Sequence, residues 1–293
     1  MSAKIVPRSF GTHDGSFHAD EVTACALLLL FDRIDRDKIL RTREVAKLIP
    51  CEYVCDVGGI YNPAEKRFDH HQAEYSGEMS SAGMIWLYFK EEKIVDILTY
   101  DFFNRSLIWG VDAHDNGRGI QEAGVCTFSQ LVAGFMPPQY DLPLEEQNRA
   151  FFEALDFVLG HLRRNLARYE YIRLCRSKVV EAMAKNQHYL YFETALPWLE
   201  SFFDLGGEAH PALFVIMPMA GHWKLRAIPP SLAERMKVRC PLPLKWAGLQ
   251  EKELKKESGI KGAIFCHKGR FISVWETKED AFRAMEIAIK EKS

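Results

Sequence analysis

The chain has 293 residues, 47% hydrophobic and 27% charged, with a formal net charge of -2. That is ordinary globular composition with room for two domains, and the near-neutral balance excludes a bulk polyanion binder, so any polyanion site must be local or built on metal ions. The longest apolar run, Ala24 to Phe31, falls far short of the roughly 20 residues of a membrane span, and Met1 to Phe10 lacks the apolar region of a signal peptide, so no membrane partner and a cytoplasmic location are expected.

The first element is a short apolar strand. It leads into His13-Asp14-Gly15-Ser16-Phe17-His18-Ala19-Asp20-Glu21, where five of nine side chains can ligate a metal or move a proton. Val22, Ala26, Leu29 and Leu30 then recur at helical spacing, and Asp20 or Glu21 stands where an acidic residue favours a helix N-terminus. The reading is strand, ligand-rich turn, helix, the geometry by which an open α/β sheet presents a site at the carboxyl ends of its strands. A second strand at Ile39-Leu40 ends in Arg41-Thr42-Arg43, a short crossover is stopped by Pro50, and a third strand, Tyr53-Val54-Cys55, places Asp56 at its end before Gly58-Gly59. The seven cysteines are scattered and odd in number, which suits reduced thiols. Tyr61-Asn62-Pro63 turns the chain towards Arg67-Phe68-Asp69-His70-His71-Gln72. Adjacent histidines on extended backbone face opposite ways, but at a strand end one can bind metal while the other faces substrate, with Asp69 fixing a tautomer. Ser80 or Ser81 caps a helix over Ala82 to Phe89, and a phosphate oxygen can sit at such a terminus. A further helix from Ile94 to about Trp109 precedes a turn bearing Asp112, His114 and Asp115.

Five of the ten histidines, at 13, 18, 70, 71 and 114, thus fall in the first 115 residues, inside Asp/His clusters on expected strand ends or turns. Mixed carboxylate and imidazole ligands suit Mn²⁺, Mg²⁺ or Zn²⁺, and their number suits a pair of ions about 3.5–4 Å apart. The order His18-x-Asp20, Asp56, Asp69-His70-His71, then Asp112 or Asp115, resembles the four motifs of the DHH phosphoesterase superfamily. More closely, residues 11–21, Phe68 to Gln72 and Asp112 to Gly117 resemble the melanocyte-proliferating-gene-one (Myg) family, and so do Leu225 to Pro229, Pro241 to Leu249 and Gly262 to His267. The resemblance covers nearly the whole chain. It implies a metal-dependent 3′–5′ exonuclease on single-stranded RNA, using a water activated by two divalent ions, Mn²⁺ first. His13, His18, Asp20, Asp56, His70 and Asp112 or Asp115 are the expected metal ligands, with His71 facing the phosphate and Asp69 orienting it. Alternatives are a hydrolase of short oligonucleotides, cyclic dinucleotides or pyrophosphate, and a non-catalytic metal-stabilised RNA- or protein-binding module. Two departures stand out: His114 where an apolar residue is expected, and Ser273-Val274-Trp275 where the family carries glycines, which puts a nucleic-acid contact there in doubt.

Leu144 to about Gln187 has helical spacing and carries Arg163, Arg164 and Arg168 among tyrosines, a pattern that suits single-stranded nucleic acid as well as a solvated helix face. Two strand pairs follow, turning at Ala220-Gly221 and Lys268-Gly269, and Thr277 with Asp280 opens a last helix. The expected fold is α/β: a doubly wound, mostly parallel DHH-type domain over 1–143, a connecting helical segment over 144–188, and a smaller α/β substrate domain over 189–293. Arg163, Arg164, Arg168, Ser81 and Lys268 are the expected substrate contacts. RNA or a short oligonucleotide is the expected partner, and the oligomeric state, a homodimer included, is left open.

Overall fold

The computed structural model describes residues 4–139 and 142–292. Two compact units, Met1–Tyr169 and Glu170–Ser293, meet inside one 41-residue helix, α7 (Leu144–Ala184). The change of unit therefore falls in the middle of the connecting helix, whose first half packs in one core and second half in the other.

The first unit holds β1 (Val6–Thr12), α1 (Ala19–Leu30), β2 (Ile39–Arg41), α2 (Val45–Leu48), β3 (Cys51–Cys55), β4 (Tyr61–Asn62), β5 (Arg67–Phe68), α3 (Ser81–Glu91), α4 (Ile97–Phe103), α5 (Trp109–Asp115) and α6 (Phe128–Ala133). Its sheet runs β2-β1-β3-β5-β4, with the first four strands parallel. Tyr61-Asn62, expected as a turn, is a two-residue edge strand antiparallel to β5. The carboxyl half of β1 is buried on both faces, as in a parallel sheet covered by helices. On one face α1, α3 and the start of α7 build the main core around Phe10, Trp86, Phe103 and Phe151. On the other, α2 lies directly on the sheet: a Cβ at Gly11 would come within 2.8 Å of the Leu48 side chain, so glycine permits that approach.

Between α4 and α5 the backbone widens into a π turn at Asn104–Ile108, then carries on helically to Asp115. Asp112 and Asp115 therefore sit three apart on a helix rather than on the expected turn, and a π turn beside a cluster of ionisable groups is a frequent mark of a functional site.

The second unit holds β6 (Tyr189–Tyr191), α8 (Leu199–Asp204), β7 (Phe214–Met219), β8 (His222–Ala227), α9 (Glu251–Ser258), β9 (Ala263–Cys266), β10 (Ile272–Trp275) and α10 (Lys278–Lys292). The sheet order is β6-β7-β8-β10-β9, parallel only between β6 and β7. Alternation along β7 serves two cores: Phe214 and Ile216 pack with Leu254 and Ala284 of α9 and α10, while Val215 and Met217 pack with Val179 and Phe202 of α7 and α8. Ala220 and Gly221 both take positive φ, as a two-residue hairpin turn requires.

Candidate metal centre

β1 pairs with both β2 and β3, so the crossover direction reverses at β1, and the crevice beyond the carboxyl ends of β1 and β3 is where such sheets bind ligands. Gly11 pairs with Val54, and two residues further along each strand His13 and Asp56 emerge side by side. The His13 Nε2 lies 3.1 Å from the Asp56 Oδ2 and 3.2 Å from the Glu21 Oε1. Asp56 adopts a left-handed backbone (φ 57°), a conformation uncommon outside glycine and concentrated at functional positions. Its other oxygen, Oδ1, lies 3.4 Å from both the His70 Nε2 and the His71 Nδ1. One buried carboxylate thus turns an oxygen to each of two histidine groups.

Three sets of ligand-capable atoms, each lying within 4.8 Å of one another, result: His13, His18, Glu21 and Asp56; Asp56, His70 and His71; and His18, Asp20 and Asp115. They share Asp56 and His18. His70 also reaches the Asp115 Oδ2 at 3.1 Å. Asp20 is fully buried, and among the described residues neither of its oxygens has a hydrogen-bond partner; the Asp56 Oδ1 is likewise unsatisfied. Burial, then the charges of Asp56, Glu21 and Asp115, push the Asp20 carboxyl well above the ordinary range. Asp115 and Asp56 hold His70 up at about 10. For His13, burial works against the charged ring, but Asp56 and Glu21 outweigh it and bring it to about 10. Burial would raise Asp56, yet His13 and His70 hold it well below the usual carboxylate range. This cluster calls for positive charge. Oxygens without donors, set among imidazoles and free of thiolate, fit a hard or borderline divalent ion.

Glu21 enters this cluster; the sequence counts it among the ligand-capable side chains of the turn and places it at the start of α1, but it was not among the expected metal ligands. Its carboxylate both accepts the His18 backbone N–H at 2.8 Å and approaches His13. Arg43 is a second residue that the sequence left without a role. Its Nη2 lies 3.3 Å from the His13 Nδ1 and its Nε 3.6 Å from the Asp14 carboxylate, at the exposed rim. Asp69 is buried; it accepts from the Gly59 N–H at 2.6 Å and lies 2.8 Å from the His71 Nδ1, leaving the largely exposed His71 ring facing outward.

Other expected site residues lie elsewhere. The Asp112 Oδ1 accepts from the Ser80 N–H, the Ser80 hydroxyl and the Gly83 N–H at 2.7–3.1 Å, so it ties down the N-terminus of α3 and joins none of the three sets. Burial pushes its carboxyl up to about 6 against those donors. The Ser81 hydroxyl is fully buried and donates to the Phe68 carbonyl, so it is not available to a substrate. Arg163, Arg164 and Arg168 stand exposed on α7, and Lys268, in the other unit, is exposed on the β9–β10 hairpin. His114 leaves the cluster altogether and lies against Gly119.

The family model MYG1_exonuc, described as Uncharacterised protein family (UPF0160), matches residues 9–289. The chain belongs to this MYG1 family. Similar family members include the MYG1 protein of Chlamydia pneumoniae, 51% identical over 288 residues and covering 98% of both chains. The MYG1 exonuclease of Mus musculus is 32% identical over 331 residues, covering 98% of this chain and 86% of the mouse protein. Among solved structures, RecJ in complex with Mn²⁺ from Thermus thermophilus is a distant match: 13% identity and a TM-score of 0.32, over 96% of this chain and 52% of RecJ. Among the described residues of this MYG1 chain, no helix is long and apolar enough to cross a membrane.

Proposed function

We propose that this MYG1 chain is a divalent-metal-dependent 3′–5′ exonuclease acting on single-stranded RNA, with two ions, Mn²⁺ first, held by the clustered histidines and carboxylates. The observation that carries the reading is Asp56 turned between two histidine groups beside the donorless, buried Asp20. The exonuclease name of the mammalian relatives supports the reaction class. In this reading His13, His18, Glu21 and Asp56 hold one ion, and Asp56, His70, Asp20 and Asp115 the other. Held by those residues, divalent ions would supply Lewis-acid chemistry, making a water nucleophilic near neutral pH and offsetting charge on phosphate oxygens. Water adds to phosphorus as the bond to the 3′ oxygen of the penultimate nucleotide breaks, and that oxygen takes a proton. In this reading His71 carries it, and the reading is supported by the outward-facing ring and its 2.8 Å approach to Asp69. The same reading has the exposed Arg43 at the rim meet a non-bridging phosphate oxygen.

The test is incubation with Mn²⁺ and 5′-labelled single-stranded RNA, with DNA of the same sequence, a dinucleotide and pyrophosphate in parallel. The expected result is a ladder shortened one nucleotide at a time with the 5′ label retained. Hydrolysis of pyrophosphate or dinucleotide alone would move the substrate to the smaller class, and a faster ladder on DNA would replace RNA.

A further inference from the structure

Lys224 and Arg226 stand two residues apart on β8 and so share one face of the second unit's sheet. The register extends that face: Lys224 pairs with Val274 and Arg226 with Ile272 on β10, and Val274 pairs with Phe265 on β9. Over β6 and β7 the same face is closed by α7 and α8, through Val179 and Phe202 on Val215 and Met217. Over the other three strands Lys224, Arg226, Ile272 and Phe265 keep partial exposure. The alternating residues Leu225 and Trp275 are buried on the opposite face, where Trp275 packs on Trp246 and donates to the Ser273 hydroxyl. The tryptophan that stands in the glycine stretch is therefore turned away from this face, and the doubt it raised about a nucleic-acid contact does not apply here.

Two like charges held half-buried on one strand face repel each other and lose hydration, a placement that favours an incoming anion. Neither side chain forms a salt bridge among the described residues. Glu200 is near enough to act on the Arg226 charge, and Arg235 opposes it. Burial lowers the proton affinity of Lys224, and the charge of Arg226 adds to the effect. The Arg226 guanidinium lies 5.9 Å from the Trp198 ring centre, a contact that fixes its position without using its N–H groups.

We propose that Lys224 and Arg226, with Phe265 two strands away on the same sheet face, form a second anion site that binds backbone phosphates of a single-stranded oligonucleotide while a base rests on Phe265. The site deepens the exonuclease reading and rests on it. An aromatic ring that shares a sheet face with half-buried cations, with one strand between them, is a sequence-tolerant mode of holding a single strand.

The test is fluorescence anisotropy of the full chain with fluorescein-labelled octauridylate in EDTA, titrated with salt. The double variant Lys224→Gln, Arg226→Gln should bind about tenfold or more weakly. Its salt slope should fall by roughly 0.7 for each phosphate that is no longer neutralised. Lys224→Arg with Arg226→Lys should recover most of the affinity, and Lys252→Gln, exposed on α9, should match the wild type. Unchanged affinity and slope in a folded Gln variant overturns the site, as does a charge-conserving variant that binds as poorly as the Gln one. Should the double variant not fold, Lys224→Gln alone carries the same readouts. Failure of the wild type to shorten RNA with Mn²⁺ tells against the exonuclease reading instead, and it leaves the anisotropy result intact.

Discussion

Asp20 and Asp112 are both buried carboxylates of the first unit, yet their surroundings are opposite. Asp112 has three donors on one oxygen and closes the start of α3. Asp20 has no hydrogen-bond partner among the described residues and faces three other carboxylates. A buried charge whose donors come from the chain is part of the architecture. One without them weakens the fold unless something positive arrives from outside. Removing each should therefore have contrasting effects, and the comparison stands or falls on four measurements.

The largest effect is expected at the donorless end. Asp20→Ala or Asp56→Ala should lower Mn²⁺-dependent turnover by about 10³-fold or more, since electrostatic stabilisation of a phosphoryl transition state commonly contributes that much. Mn²⁺ should raise the Tm of the wild type but not of Asp20→Ala, and without metal Asp20→Ala should melt no earlier than the wild type. Thermal scans with and without Mn²⁺ check this, and a Tm drop in metal-free Asp20→Ala would make Asp20 architectural as well.

Next come the paired histidines. His71→Ala should keep its bound metal and lose about 10²–10⁴-fold in the chemical step. His70→Ala should lose metal along with rate. Metal analysis beside single-turnover rates separates them, and the opposite pattern exchanges their roles.

At the architectural end, Asp112→Ala leaves three donors at the start of α3 unpaired. It should cost about 2–4 kcal/mol, with metal occupancy of the folded protein unchanged. Asp112→Asn keeps an acceptor and should cost much less at pH 7. Because the Asp112 carboxyl is raised to about 6 in the folded chain, its proton is bound more tightly there than in the unfolded chain. That stabilisation is complete below the ordinary carboxylate range and is lost as pH rises through about 6, so the wild type should lose stability relative to Asp112→Asn between about pH 4 and 6.5. Denaturant melts across that window test it.

The smallest effect is expected on the outer face of α7. A triple Gln substitution of Arg163, Arg164 and Arg168 should weaken RNA binding modestly and flatten its salt slope by roughly 0.7 for each phosphate the helix had neutralised, with little effect on a dinucleotide. An unchanged slope makes this a solvated helix face.

Much of the cluster was legible in the chain because its pieces are local. A strand, a turn dense in ligands and a helix lie in consecutive residues 6–30, and Asp56 follows its strand directly, so periodicity and turn chemistry sufficed to place His13, His18 and Asp20 at one end of a sheet. The long helix and both hairpins of the second unit were legible for the same reason. Glu21 was counted among the ligand-capable residues of the turn but not among the expected ligands, since a glutamate three residues into a helix is explained by the cap it makes, and its approach to His13 is a contact across the turn that spacing does not encode. Choosing between Asp112 and Asp115 needed the packed structure: three residues apart on α5, they differ only in whether the helix turns them to the start of α3 or to His18 and Asp20. The buried hydroxyl of Ser81 and the turning of Trp275 away from Lys224 were settled in the same way, by which neighbour each surface met. Composition and periodicity say which residues carry charge and which share a face; only the strand order β2-β1-β3 and the Gly11 to Val54 register bring His13 and Asp56, 43 residues apart in the chain, to 3.1 Å, because hydrogen bonding between strands acts on backbone that local sequence leaves free to pair in many ways.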